Sequence, residues 1–131
     1  MNDCELKVGT KIRKLTAGDD WTIRRSVVNV PLGQTIIAAW FTVKLNLSDT
    51  DASAIIQKEI SAIDVAGVGQ IEADGSSGPA MLRFDFIPDD TELFTPWQTY
   101  YYDVQVKTSL TKYNTPDDGT IIALPQVTQT T

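Results

Sequence analysis

The sequence predicts an all-β fold, an antiparallel sandwich of seven to eight short strands. The dominant hydrophobic period is two, the spacing that sends successive side chains to opposite faces of a strand. Turn-forming clusters recur at short intervals: AGDD at 17–20, PLG at 31–33, ADGSSGP at 73–79, PDD at 88–90 and NTPDDG at 114–119. That punctuation leaves room for strands and little for long helices. With 131 residues, 42% of them apolar and 21% charged, the chain can bury one core and reads as a single domain over 1–131.

Each element has its own pattern. LKVGTKIRKL (6–15) is a first strand candidate, and WTIRRSV (21–27) sets Trp21, Ile23 and Val27 on one face. TIIAAWFTVKLNL (35–47) alternates Ile37, Ala39, Phe41, Val43, Leu45 and Leu47 against Thr42, Lys44 and Asn46. DTDASAIIQKEI (49–60) is the one helix candidate, with Asp49 or Thr50 as cap and Ile55, Ile56 and Ile60 at near-helical spacing, but a short strand fits it as well. VGQIEAD (68–74), AMLRFDFIP (80–88) and GTIIALPQV (119–127) read as further strands. Between the last two, Tyr100, Tyr102, Val104 and Val106 share one face, and Tyr101, Asp103, Gln105 and Lys107 the other. The final VTQTT suits an edge strand or a frayed tail.

Composition excludes several kinds of function. The net charge is −6, which opposes binding to phosphate backbones and anionic membranes, so neither nucleic acid nor membrane is an expected partner. No apolar run approaches a membrane span of about 18 residues. The acidic start MNDCELKVGT lacks the basic region and apolar core of a secretion signal, which points to synthesis in the cytoplasm. Histidine is absent, which removes Ser-His-Asp and Cys-His catalysis and histidine-held zinc or haem. The single Cys4 cannot form an internal disulfide and reads as a small terminal residue.

Acids gather in loops at Asp19-Asp20, Asp49 with Asp51, Asp89-Asp90 with Glu92, and Asp117-Asp118. None has a calcium-loop spacing, and turn conformation explains them. GVGQ and DGSSGP lack the helix and lysine of a phosphate loop and read as hairpins. No metal, cofactor or catalytic residue is expected, and the chain is not read as an enzyme.

The aromatic residues carry the remaining signal. Trp40 lies opposite Phe41 and Val43, so either both faces of its strand are covered or it contacts another subunit. Trp97 precedes the tyrosine strand and either plugs the end of the sandwich or meets a partner. Tyr101 is the outward tyrosine of the three and the third contact candidate. Leu93 or Phe94, Pro96 and then Tyr100 look like a tyrosine corner, in which an early strand tyrosine bonds back to the loop just turned, as in fibronectin type III and other immunoglobulin-like domains.

More of the chain joins that likeness. GDDWTIRRSV (18–27), PLGQTIIAAWFTVK (31–44), YYYDVQVK (100–107), DDGTIIAL (117–124) and QVT (126–128), in that order, resemble a recurrent immunoglobulin-like module of tailed phages, found at the N terminus of upper baseplate proteins and in other tail or fibre components. Two departures stand beside it: in large baseplate proteins more chain follows the module, and 49–69 has no matching motif. The resemblance implies an immunoglobulin-like β-sandwich acting as a virion structural protein of the tail or baseplate. It implies docking onto other virion proteins and a homo-oligomer in a trimeric or hexameric setting. A capsid decoration protein is the alternative within that class. A carbohydrate-binding module, stacking sugars on Tyr101 with Trp97 or Trp40, is the alternative outside it.

Overall fold

Alternating burial along Trp21–Val28, Ala80–Phe86 and Thr99–Thr108 sets the inner faces of two sheets that close on one another. A computed structural model describes residues 7–8 and 14–126 of the chain. Lys7–Val8 (β1), Trp21–Val28 (β3), Gly69–Ala73 (β6) and Ala80–Phe86 (β7) form a four-stranded sheet in the order β1-β3-β7-β6. Lys14–Thr16 (β2), Ile36–Lys44 (β4), Ile56–Ile60 (β5), Thr99–Thr108 (β8) and Tyr113–Leu124 (β9) form a five-stranded sheet in the order β2-β9-β8-β4-β5. This is the immunoglobulin arrangement. β1, β3, β7 and β6 hold the A, B, E and D places, β4, β8 and β9 those of C, F and G, and β5 extends the second sheet as C′.

The described residues thus hold nine strands rather than seven to eight, and one pairing is not antiparallel. The first strand divides between the sheets, β1 pairing with β3 and β2 running parallel to β9. Cys4 and the closing residues 127–131 lie outside the described residues, as does part of 6–15.

Three local expectations give way. No helix forms over 49–60: only Asp51–Ser53 makes a 3-10 turn, and Ile56–Ile60 is a strand paired with β4. Isoleucine is stiff in χ1 and suits a pleated surface, and the free edge of β4 satisfies the backbone from the Ile55 N–H to the Val43 carbonyl (2.8 Å) onward. PDD at 88–90 forms one helical turn, Pro88–Thr91 (α1), with proline in the first turn and the Ile87 N–H held by the Asp90 carboxylate at 3.0 Å. NTPDDG lies inside β9, because the hairpin closes earlier, at 109–112, where Thr111 takes φ 60°. A bulge between Val104 and Val106 of β8 inserts an extra residue of β9 and leaves a place for Pro116, which has no N–H for the ladder. β4 likewise ends at Lys44, and a bulge at its start leaves Ile37 exposed while Ile36 is buried.

The core is aromatic at its centre. Phe41, fully buried, stacks on Tyr102 (5.5 Å, 7°) and meets Phe84 and Phe86 at 5.3 and 5.4 Å, with Trp21 edge-on at 6.2 Å. Such pairs add about 0.5–1.5 kcal/mol each beyond area burial. Arg25 shares the inward parity of Ile23 and Val27, so β3 carries a guanidinium into the interior. Its Nε lies 3.0 Å from Oδ2 of Asp117 on the opposite sheet, and the Tyr102 hydroxyl donates to Asp117 Oδ1 at 2.9 Å. Arg25 and Asp117 are 8% and 2% exposed, so this is an ion pair between sheets inside the core.

Tyr100 is buried at the start of β8, its hydroxyl accepting the Thr95 N–H at 2.7 Å, with the Phe94 ring edge-on at 4.9 Å. Pro96 lies in the loop between them. Thr91 ties this segment across the sandwich, its hydroxyl donating to the Asp19 carbonyl at 2.7 Å.

Removing one partner of a buried ion pair strands the other charge, so Asp117→Ala should cost about 3–5 kcal/mol in chemical denaturation. Arg25→Met with Asp117→Val should lose less than either single change, and an additive loss would contradict the pairing. Tyr100→Phe should cost about 1 kcal/mol for the lost hydrogen bond. An unchanged melting temperature would show that the hydroxyl contributes nothing.

Candidate functional site

The outward parity of β4, β8, β9 and β5 builds one broad face, and register sets its rows. Lys44, Tyr101 and Thr120 lie side by side, then Thr42, Asp103 and Asp118 with Gln57 beyond, then Glu59, Trp40 and Gln105. In the last row Lys107 is paired with Tyr113. The Tyr113 ring lies 6.2 Å from that of Trp40, at 30°, and the Lys107 ammonium stands over it at 5.8 Å. The face is therefore aromatic and cationic at one end.

At the other end Tyr101 stands between two hollows. One, of about 290 Å³, lies toward β9 and is lined by Leu47, Tyr101, Asp103, Thr115, Asp118 and Thr120 among others. The second, of about 70 Å³, lies toward β4 and adds Thr42 and Lys44. Asp103 borders both. Burial raises its carboxyl above the ordinary carboxylate value, the Lys44 charge opposes the rise, and the charges of Asp51 and Asp118 add to it. Gln57 holds Thr42 in place through Nε2 to Oγ1 at 3.0 Å.

The outer face of the four-stranded sheet has the opposite character. Arg24 pairs with Glu72 (3.0 Å), and Arg83 pairs with Glu72 (3.1 Å), Asp85 (3.2 Å) and Asp64. Thr22 donates to Asp85 at 3.3 Å. The hydrogen bond from Arg24 is the main reason the Glu72 carboxyl titrates below its usual range. Among the described residues, these charges are matched within the molecule.

Two of the three contact candidates thus share a face. Trp40 and Tyr101 both point outward from the five-stranded sheet, four residues apart along the register of β8. Trp97 stands apart: it is 68% exposed, lines neither hollow, and does not plug the sandwich, a place taken by the buried Phe94. Its backbone is held at φ 69° with its N–H on the Ala123 carbonyl at 2.6 Å, a strained conformation for a bulky residue. Tyr113 and Leu47 are members of the face that sequence reasoning misses. Alternation gives Leu47 an inward parity that ends with β4 at Lys44, and Tyr113 falls just before a turn that does not form there.

No protein-family model matches the chain, and no curated protein matches it. Among solved structures, a DUF3823 family protein from Parabacteroides merdae is similar with a TM-score of 0.56 and 9% identity over 91% of this chain. The match takes in 52% of that protein, so the chain spans about half its length. A chain from a structure concerning T cell specificity and activation by the bacterial superantigen toxic shock syndrome toxin-1 gives a TM-score of 0.49 at 9% identity, over 91% of this chain and 98% of that one. A Mobiluncus mulieris adhesin with intramolecular disulfide, isopeptide and ester cross-links gives 0.42 at 14% identity, over 93% and 58%. At 9% identity the likeness to the DUF3823 family protein is one of fold.

Because the folded Asp103 holds its proton more tightly than an unfolded carboxyl of 3.8, the stability linked to it is complete below that value. It is lost as pH rises through the raised value. Asp103→Asn removes the cost of ionisation, so it should raise the melting temperature near neutral pH and leave it unchanged at about pH 3. Thermal melts at the two pH values decide this, and an equal effect at both would exclude a charge penalty at Asp103.

Proposed function

We propose that this chain is a structural component of a tailed-phage particle, an immunoglobulin-like module of the tail or baseplate that works by docking onto other protein subunits. The observation that supports it best is the asymmetry of the two sheets. One outer face is closed by internal ion pairs; the other presents Trp40, Tyr101 and Tyr113 with hollows that can receive side chains. Aromatic anchors beside half-buried polar groups are the usual make-up of an interface centre. The motif order over 18–128, which resembles that of phage modules, supports the setting, and no reaction of its own is assigned to the chain.

A second reading draws on the groove beside Tyr101. An aromatic ring, threonine hydroxyls and carboxylates around about 290 Å³ also suit a sugar. Tryptophan and tyrosine fluorescence titrated with host polysaccharide separates the two, since saturable quenching abolished by Tyr101→Ala would favour the sugar.

Immunogold labelling of purified particles tests the main reading. Label on tails is expected, and label on heads would replace the tail assignment with capsid decoration. A protein absent from particles would end the structural reading.

A further inference from the structure

We propose that the outer face of the five-stranded sheet binds a second copy of the same chain, face to face, about a twofold axis that crosses the strands along the Trp40–Gln105 row. This rests on the reading of that face as a docking surface, though not on which particle the chain belongs to. β8 of each copy then runs antiparallel to its mate, and a residue two positions before Gln105 falls over the residue two positions after it.

Charge is the first argument. Asp103 and Asp118 are register neighbours on one side of Gln105, and Lys107 lies on the other. The twofold operation carries each Lys107 over the partner copy's acidic pair, twice per dimer. Within one copy Lys44 is the favourable charge acting on Asp103, and it already pairs with Asp51 at 2.9 Å. With Asp103 and Asp118 on one side, where Lys44 is already paired with Asp51, and Lys107 on the other, the face is complementary to itself only when turned end for end.

Shape repeats the pattern. The hollow beside Tyr101 lies four residues from Gln105 in one direction. In the other direction, the bulge of β4 lifts out Ile37 (45% exposed) beside Lys107, and the hairpin presents Leu110 (61% exposed) five residues beyond Gln105. The same axis brings these apolar side chains toward the partner copy's hollow and its exposed Leu47. Trp40 meets Trp40 at the centre, where anchors carry most binding energy.

Area reaches the lower end of what a stable interface takes. Five strands about 4.8 Å apart, averaging about eight residues of about 3.3 Å, make a face of roughly 600 Å² per copy. Standard interfaces take about 600–1,000 Å² per partner. At the rim Glu59 meets its own mate, but sheets that cross at about 30° splay their edges into water.

Sedimentation equilibrium over a range of concentrations tests the pairing, with circular dichroism melts to verify folding of each variant. A monomer–dimer equilibrium is expected, weakened by roughly a hundredfold in Lys107→Asp or Asp103→Lys, since like charges are then juxtaposed twice. Lys107→Asp combined with Asp103→Lys should restore it. Gln105→Asp, which sets two carboxylates on the axis, should weaken it without disturbing either ion pair. A monomer at every concentration, a trimer or hexamer indifferent to these changes, or a double variant no better than the singles would overturn the proposal. A monomeric chain that still labels phage tails would remove the twofold pairing alone, whereas a swap-sensitive dimer absent from particles would remove the virion assignment alone.

Discussion

The ion pair between Arg25 and Asp117, closed by the Tyr102 hydroxyl, is the constraint on which the rest of the structure depends. Immunoglobulin domains commonly pin their sheets with a disulfide between the B and F strands. A chain with one cysteine cannot do so. Here a charge from β3 and a charge from β9 meet in the interior, each nearly excluded from water. A buried pair of this kind adds little net stability over an apolar substitute, but it is costly to mispair. Its effect is on register: a one-residue slip of either strand would turn every side chain to the wrong face and leave both charges unmatched.

That register shapes the outer face too. Asp117 must point inward opposite Val104, and four residues earlier Tyr113 would by simple alternation point inward as well. The extra residue between them inverts the parity, so Tyr113 emerges outside, beside Lys107 and Trp40. The bulge at the start of β4 does the same for Ile37. The interior pairing and the two bulges thus compose the surface, and the face gains an aromatic and an apolar anchor that alternation would have buried. The four-stranded sheet has a bulge of its own, at Glu72 of β6. That carboxylate is the one Arg24 and Arg83 share, so the irregularity there serves to pair outer charges with one another.

Much of this is legible in the residues. Alternation in 21–27, 80–86 and 100–107 predicts which side chains face the core and puts Tyr101, Asp103 and Lys107 outward, and that of 35–47 does the same for Trp40. The failures have a common cause. Ile55, Ile56 and Ile60 satisfy helical and strand spacing alike, and only the vacant edge of β4 selects the strand. NTPDDG has every local mark of a turn, yet a strong ladder with β8 and a bulge that excuses Pro116 absorb it. Closeness in sequence groups Trp97 with Tyr101, whereas the turn at its positive φ sends it away from the face.

By itself the sequence determined the features that local chemistry dictates: a period of two, turns built on Gly, Pro, Asp and Asn, and a chain without histidine or a second cysteine. Those properties depend on each residue and its near neighbours, so they survive without a fold. Only the tertiary structure decided which strands share a sheet and where the register slips. It also decided that Arg25 would find Asp117 across 92 positions of chain. These are long-range choices, set by the cost of leaving a buried charge or an edge strand unpaired, and that cost exists only once the two sheets have closed.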